Sequence, residues 1–154
     1  MRLLVQCVSR ARISDKASPH STLASIGKGL VTLVGFEAGD SPVVIEQMIQ
    51  KIKCLRVFAD SDGKLNLAGH DVEAEYLLVS QFTLYAECKY GNRPSFERAA
   101  PKARAKEYYE HFVRTAERLL GSEQVKHGAF GSDLNVELVN EGPVTVWLDS
   151  KEVL

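Results

Sequence analysis

The length, composition and charge of the chain exclude several classes of protein. It has 154 residues, of which 45% are hydrophobic and 25% charged, which is typical of one globular domain and not of a disordered or collagen-like chain. The net charge of −1 gives no global field that would attract nucleic acid. No apolar run approaches the roughly 20 residues that span a bilayer, and the first residues do not resemble a secretory signal. We therefore expect a cytoplasmic protein with no membrane partner.

The three cysteines do not indicate a disulfide framework. Cys7, Cys54 and Cys88 are an odd number of widely spaced thiols, which is typical of reduced cytosolic proteins. We expect Cys7 and Cys54 to be buried as small apolar side chains. None of the four histidines forms a zinc-like pattern with another histidine or a cysteine, so we predict no metal site and no cofactor.

The N-terminal third of the chain predicts two strands followed by a helix. Residues 1–13 alternate in places, a polar stretch covers 14–21, and a second strand-like run covers 30–36. Ser41 followed by Pro42 is typical of a helix N-cap with proline at the first helical position. Apolar residues then recur at helical spacing: Ile45, Met48, Ile49, Ile52 and Leu55.

The middle of the chain predicts a turn, a buried strand and a second helix. Asp60 to Gly63 form a turn, but an EF-hand calcium loop is excluded because Leu65 and Asp71 stand where that loop needs glycine and glutamate. The unalternated run 76–79 favours a strand covered on both faces. An amphipathic helix is expected between Pro101 and Gly121, with Ala105, Tyr109, Phe112, Ala116, Leu119 and Leu120 on its apolar face.

The last third predicts two alternating strands, near 134–138 and 144–148, with residues 140–143 between them. Proline donates no ladder hydrogen bond and glycine permits unusual torsions, so Gly142-Pro143 leaves carbonyl oxygens without side-chain cover. The simplest interpretation of the pair is a hairpin turn. The sequence leaves the cis or trans state of its bond open.

Hydroxyl and amide side chains gather where the buried strand 76–79 ends. Ser80, Gln81, Phe82 and Thr83 follow it directly, and such a strand end is suited to orienting an ester or binding an oxyanion. The alternative is a strand end whose hydroxyls satisfy their own backbone. The chain contains neither a G-x-S-x-G elbow nor a P-loop.

Positive charge is concentrated in residues 89–114. This segment carries seven Lys or Arg against three Glu, a local balance of +4. A solvated helix face is the simplest interpretation, and a phosphate-bearing partner is the alternative.

The strings Ser80-Gln81-x-Thr83 and Asn140-x-Gly142-Pro143-x-Thr145 together resemble the paired signatures of the D-aminoacyl-tRNA deacylases. Residues 91–96 and 128–130 are similar to two further family segments, in the same order, so the resemblance covers nearly the whole of residues 1–154. It implies a single α/β domain with a strongly curved, barrel-like mixed β-sheet flanked by two helices. It also implies a homodimer.

The resemblance implies a reaction as well: hydrolysis of the ester that joins a D-amino acid, or glycine, to the 3′-terminal adenosine of tRNA, as chiral proofreading. An aminoacyl ester is already activated, so positioning and oxyanion stabilisation suffice without a catalytic triad. The backbone N–H groups around Phe82 and Thr83 are expected to hold the ester carbonyl, and Ser80 and Gln81 to shape that corner. Thr83 is the weaker candidate for a nucleophile because no base is visible beside it.

The family pattern also assigns binding residues. It implies that Gly142-Pro143 of one subunit enters the site of the other and excludes an L side chain by collision with its carbonyls. Phe130 matches a position that lines the adenosine pocket, and Asn140 and Thr145 belong to the substrate-binding motif. The acceptor stem of tRNA becomes the candidate partner of the basic segment.

One position departs from the family pattern. Family members commonly carry an arginine after the glutamine of the first strand, where it helps to hold the glycine-proline segment, and this chain has Cys7. A thiol lacks the planar set of donors of a guanidinium group, and Arg2, Arg10 and Arg12 are the candidates to replace it. Two alternatives stay open: a relaxed deacylase that also removes mischarged L-alanine, and a non-catalytic RNA- or nucleotide-binding dimer.

Overall fold

In the computed structural model, which describes residues 1–154, a long first strand organises the sheet. The strands are β1 (Arg2–Asp15), β2 (Ser18–Ile26), β3 (Gly29–Gly35), β4 (Phe58–Ala59), β5 (Leu65–Leu67), β6 (Glu75–Ser80), β7 (Val125–His127) and β8 (Leu134–Asp149). The helices are α1 (Pro42–Cys54), α2 (Lys102–Leu120) and α3 (Ser150–Val153), and 3-10 turns cover Gly69–Val72 and Phe82–Tyr85.

The main sheet has six strands and is mixed, as predicted. Its order is β2-β1-β3-β6-β7, with β8 on β1. β1 is antiparallel to β2, β3 and β8, while β3, β6 and β7 run parallel to one another. The sheet curls towards a barrel, because Ile13 of β1 and Val136 of β8 pack with Val79 of β6 in one apolar cluster.

The two predicted helices are confirmed. The Ser41 hydroxyl accepts a hydrogen bond from the backbone N–H of Val44, and α1 begins at Pro42. Pro101 and Gly121 bound α2. The apolar faces of both helices join the buried strands in one core cluster of 25 residues. None of the helices is both long enough and apolar enough to span a lipid bilayer.

Two strand predictions need correction. The polar stretch 14–21 is not a connection, because β1 continues to Asp15 and β2 starts at Ser18 as a largely exposed strand. Residues 134–149 form one strand and not a hairpin, because both halves of β8 pair antiparallel with β1. Between the Gln6–Thr145 and Val8–Asn140 pairs, residues 141–144 oppose Cys7 alone and form a wide bulge.

The prediction for the cysteines holds for one of the two. Cys7 is buried, as expected, whereas Cys54 is exposed. Cys54 is the last residue of α1 and lies two positions after the buried Ile52, which places it on the opposite face of the helix.

Candidate active site

The end of β6 and the 3-10 turn Phe82–Tyr85 form a corner that packs closely on β3. The Gln81 backbone N–H donates to the Val34 carbonyl at 2.7 Å. Gly35 permits this approach, since a Cβ there would lie 3.0 Å from the Gln81 carbonyl oxygen and 3.1 Å from the Leu84 Cβ. The turn is therefore held directly against the sheet.

Two backbone N–H groups at the start of this turn have no acceptor in the protein. The first donors of a helical turn have no partner within it, and no side chain caps this one. Backbone hydrogen bonds that begin or end outside the turn are donated by Gln81, Leu84 and Ala86, and none by Phe82 or Thr83. The amides of Phe82 and Thr83 are left free to donate to an external oxygen atom.

The hydroxyl of Thr83 is held by its neighbour. It accepts a hydrogen bond from the side-chain amide of Gln81. No carboxylate or imidazole hydrogen-bonds to Thr83, so the structure gives that hydroxyl no base. Phe82 is 56% exposed, and its ring meets Phe96 edge-on with centroids 5.0 Å apart.

A cavity of about 390 Å³ brings the corner together with the predicted adenosine-stacking residue. Ser80, Gln81 and Phe82 line it together with Phe130. Thr83 lies next to these residues in the turn but does not itself line the cavity. A pocket with polar backbone groups at one wall and an aromatic ring at another is suited to an ester carrying a nucleobase.

Tyr109 of α2 fixes the wall that carries Phe130. Its hydroxyl lies 2.9 Å from the Leu78 carbonyl oxygen and 3.0 Å from that of Gly128, and its ring packs 5.9 Å from the ring of Phe130. Burial raises the pKa of Tyr109, so the phenol stays protonated and keeps donating. Sequence reasoning placed Tyr109 on an apolar face and missed this contact.

Gly142-Pro143 lies on the exposed bulge of β8, and its peptide bond is cis. Gly142 has φ +107°, and a Cβ there would lie 2.9 Å from the Val144 amide nitrogen. Only glycine fits this conformation without strain. Because residue 142 is glycine, no side chain covers the backbone at that point of the bulge.

Side chains of β1 and β8 hold this bulge. The side-chain amide of Asn140 donates to the Cys7 carbonyl at 2.8 Å and to the Val144 carbonyl at 2.9 Å. The Gln6 amide, at 3.4 Å, and the Thr145 hydroxyl, at 3.2 Å, donate to Asn140 Oδ1. Asn140 and Thr145 thus bond within the bulge, and their contact with substrate stays a prediction.

The side chain of Cys7 points to the core. Its thiol donates to the Val57 carbonyl at 3.3 Å. Burial, and secondarily the charge of Glu141, raises the pKa of Cys7 to about 11. The neutral thiol contributes no charge to the bulge.

The arginines considered as replacements at position 7 contact other groups. Arg2 bonds to Asp149 and Arg12 to Glu137, while Arg10 makes no hydrogen bond through its side chain. None of the three supports the bulge.

Within one chain, the bulge and the corner lie at different levels of the sheet. When the paired residues are followed from strand to strand, Ser80 lies at the same height in the sheet as Leu148 of β8. Cys7, which is opposite the bulge, lies at the same height as Tyr76 of β6. Tyr76 and Ser80 are separated by about 13 Å of strand. Gly142 accordingly lines a separate cavity with Cys7.

Lys102, at the start of α2, is the basic residue placed beside the cavity. A Cβ on Gly131, which lines the cavity, would lie 3.8 Å from Lys102 Cε. Arg104 and Lys106 are paired with glutamates of the same helix, whereas Lys102 makes no ion pair. Its ammonium group is available to an anion at the rim.

The cavity offers positioning and hydrogen-bond donation. The corner beside it supplies two free amides and a hydroxyl held by an amide, and Phe130 supplies an aromatic ring to its lining. No three His, Cys, Asp or Glu side chains converge in a way that would hold a metal ion. Such an arrangement suits attack on an already activated carbonyl.

Comparison of the sequence with protein families gives a match over nearly its full length. The family model described as D-Tyr-tRNA(Tyr) deacylase matches residues 4–149. A D-aminoacyl-tRNA deacylase of Thermosipho africanus is 41% identical over 153 residues, with 99% of each chain covered. The enzyme of the same name from Chromobacterium violaceum is 44% identical over 151 residues, with 98% of each chain covered.

Comparison with solved structures gives the same fold. A structure named c-Myc DNA Unwinding Element Binding Protein superposes with a TM-score of 0.88 at 36% identity, covering 97% of this chain and 98% of that one. A probable eukaryotic D-amino acid tRNA deacylase superposes with a TM-score of 0.84 at 15% identity, covering 96% and 97% of the two chains. The second likeness bears on the fold alone.

Proposed function

This chain belongs to the D-Tyr-tRNA(Tyr) deacylase family and hydrolyses the ester bond of D-aminoacyl-tRNA, and from that premise we propose how its residues divide the reaction. The observation that carries the proposal is the pair of free amides, at Phe82 and Thr83, beside a cavity walled by Phe130. Free D-amino acid and tRNA are the products. Because the family is enzymatic, the non-catalytic alternative is set aside.

The corner holds the ester carbonyl. As water attacks, negative charge develops on the carbonyl oxygen, and the amides of Phe82 and Thr83 donate to it. Ser80 and Gln81 shape the corner, and Gln81 keeps the Thr83 hydroxyl in place. Positioning of an activated ester then supplies the rate without a nucleophilic side chain.

The terminal adenosine occupies the opposite side of the cavity. Phe130 presents its ring there, backed by Tyr109, and a base stacks on it. Lys102 at the rim contacts a backbone phosphate near the 3′ end, and the rest of segment 89–114 faces the acceptor stem. A tRNA substrate places the enzyme in the cytoplasm, where translation takes place.

The active form is a homodimer. β8 is 16 residues long and pairs only with β1, so its outer edge is unpaired. Long free edges invite pairing with another chain, and this one carries Trp147 and Val139 with 44% and 40% of their surfaces exposed. A second copy of β8 is the partner that fits such a self-complementary edge.

Gly142-Pro143 of the partner subunit completes each site as a chiral gate. Within one chain, Gly142-Pro143 and the corner lie at different levels of the sheet and next to different cavities, which favours insertion across the dimer. The bare backbone of Gly142 collides with an L side chain, while a D side chain or the hydrogen of glycine fits. The enzyme therefore also accepts Gly-tRNA.

Relaxed chirality is the second candidate, and Cys7 favours it. Its thiol bonds to Val57 in the core, so residue 7 supplies no side-chain donor to the bulge. Asn140 and Gln6 hold the bulge instead. If their hold is looser than that of a guanidinium group, the gate admits the small methyl group of L-alanine.

One assay separates these possibilities. The protein is incubated with D-Tyr-tRNA, Gly-tRNA, L-Tyr-tRNA and L-Ala-tRNA, and loss of each ester is followed. Strict chirality predicts loss of the first two alone. Appreciable hydrolysis of L-Ala-tRNA with retention of L-Tyr-tRNA would establish the relaxed form, and retention of all four esters would contradict both.

A further inference from the structure

Arg2, the first residue of β1, joins the catalytic corner to β8. Its Nη1 donates to the Leu84 backbone carbonyl at 2.9 Å, and its Nε donates to Asp149 Oδ2 at 2.8 Å. Leu84 belongs to the Phe82–Tyr85 turn, and Asp149 ends β8. One side chain therefore connects two elements that are far apart in the sequence.

The guanidinium group of Arg2 also lies over two aromatic rings. Its Cζ is 4.5 Å from the ring centroid of Tyr85 and 5.4 Å from that of Trp147. Tyr85 is in the same turn as Leu84, and Trp147 is in β8. Cation–π attraction to the rings favours this position of the guanidinium group while its N–H groups donate hydrogen bonds.

This contact is shielded from solvent. The side chains of Arg2 and Asp149 are only 17% and 8% exposed. Burial alone would raise the pKa of Asp149, but hydrogen bonds from Arg2 and the Lys151 amide, together with the charge of Arg2, lower it overall. The carboxylate is therefore ionised at neutral pH and remains bonded to Arg2.

Arg2 ties the end of the turn to β1. The Gln81 amide fixes the start of the turn to β3, and Leu84 and the buried Tyr85 at its end pack beside Gly35 of β3. The Leu84 carbonyl accepts its side-chain hydrogen bond from Arg2. Without Arg2 the turn loses its hydrogen bond to β1 and is held by its contacts with β3, so the direction of the amides at its start is less firmly fixed.

We propose that Arg2 is a positioning residue for deacylation, which fixes the Phe82–Tyr85 turn so that its two free amides point at the ester carbonyl. The proposal rests on the proposed function, because it takes this turn as the ester corner. Arg2 does not line the cavity and so acts only through the turn. A misplacement of about 1 Å can cost about 100-fold in rate, which is the size of effect that such a contact controls.

The test compares Arg2→Lys and Arg2→Ala with matched changes at Arg12. Arg12 is also on β1 and also pairs with a carboxylate of β8, Glu137 at 2.7 Å, but it does not contact the turn. Lysine keeps the charge beside Asp149 and loses the two directed donors and the planar group over the rings. We expect both Arg2 variants to lower kcat for D-Tyr-tRNA by about 10- to 100-fold with little change in KM, and the Arg12 variants to match the wild type.

Chemical rescue distinguishes positioning from general stability. Guanidinium ion, added well below the concentration that unfolds the protein, is expected to restore part of the kcat of Arg2→Ala and to leave Arg12→Ala unchanged. A loss of kcat equal to the unfolded fraction, with no rescue, would overturn the proposal. So would a normal kcat in Arg2→Lys.

Hydrogen exchange supplies a measurement that needs no activity. Amide exchange in a peptide covering 81–88 is expected to be faster in Arg2→Lys than in the wild type, while exchange in α1 is unchanged. Unchanged exchange in the turn would overturn the proposal. Faster exchange together with full activity of Phe82→Pro, which removes one of the two amides, would instead contradict the assignment of the ester corner and leave the hold of Arg2 on the turn supported.

Discussion

The side-chain amide of Asn140 donates to the backbone carbonyl of Cys7 at 2.8 Å, so the bulge is tied to β1 through an atom that every residue type at position 7 would supply. The same side-chain amide also donates to the backbone carbonyl of Val144, which follows Gly142-Pro143 in the sequence. Asn140 thus spans the gate segment from both sides. This contact does not depend on the side chain of residue 7, so it is kept with cysteine at that position.

Asn140→Asp is expected to weaken both the rate and the chirality of the reaction. A carboxylate cannot donate, so the carbonyls of Cys7 and Val144 lose their donor and the bulge is free to move. We expect at least about a tenfold loss of activity on D-Tyr-tRNA and a smaller ratio of D to L rates. Asn135→Asp, on the same strand but without a side-chain hydrogen bond, is the control. Equal D to L ratios in the two variants would contradict the role given to Asn140.

Phe82→Pro tests the free amides directly. Proline removes the N–H of residue 82 at the first position of a helical turn, where no internal hydrogen bond is lost and proline is well tolerated. Loss of one oxyanion donor is expected to lower kcat by about 100- to 1000-fold. Phe82→Leu keeps the N–H and is expected to retain most of the rate. Similar rates for the two variants would show that the side chain, and not the amide, is what the reaction uses.

Mixed dimers test the gate across subunits. A subunit carrying Phe82→Pro has a damaged corner, and one carrying Pro143→Ala has a damaged gate. If each site combines the corner of one chain with the gate of the other, a mixed dimer contains one intact site. The Phe82→Pro homodimer is expected to be nearly inactive, and the Pro143→Ala homodimer to hydrolyse L-Tyr-tRNA as well as D-Tyr-tRNA. After subunit exchange, we expect purified mixed dimers to hydrolyse D-Tyr-tRNA and reject L-Tyr-tRNA, and mixed dimers that still hydrolyse L-Tyr-tRNA would exclude the shared site.

Local features of the fold were predictable from the sequence, and long-range ones were not. α1 followed from the Ser41-Pro42 cap and the spacing of Ile45 to Ile52, because both signals lie within a few residues. The hairpin expected at 140–143 was wrong because alternation in 134–149 does not reveal that both halves pair with β1.

The same limit explains what was found and missed in the site. Ser80 was indicated by its place at a strand end and by a motif, and Phe130 by resemblance alone, and both line one cavity. The contacts of Tyr109 and Arg2 were missed because their partners, Gly128 and Leu84, are distant in sequence and are contacted through backbone carbonyls. Because every residue has a backbone carbonyl, the sequence does not show which carbonyl will accept such a hydrogen bond.

Cys7 is expected to couple stability to alkaline pH. Its pKa is raised from 9.0 to about 11 in the folded protein, so above about pH 9 the unfolded chain releases a proton that the folded chain retains. Stability is therefore full below pH 9 and falls as the pH rises towards 11. Urea unfolding of the wild type and of Cys7→Ala across this range is expected to show a steeper fall for the wild type. Parallel curves would contradict the shift.

Lys102 is expected to act on binding of tRNA and not on the chemical step. It stands beside Gly131 at the cavity rim without a carboxylate partner, which leaves its charge for a phosphate. Lys102→Ala should raise KM for D-Tyr-tRNA, leave kcat near the wild-type value and reduce the slope of log affinity against log salt by about one phosphate contact. Lys51→Ala, on α1 and away from the cavity, is the control for loss of one positive charge. A fall in kcat at unchanged KM would place Lys102 in the reaction itself, and equal effects of the two variants would assign the change to net charge alone.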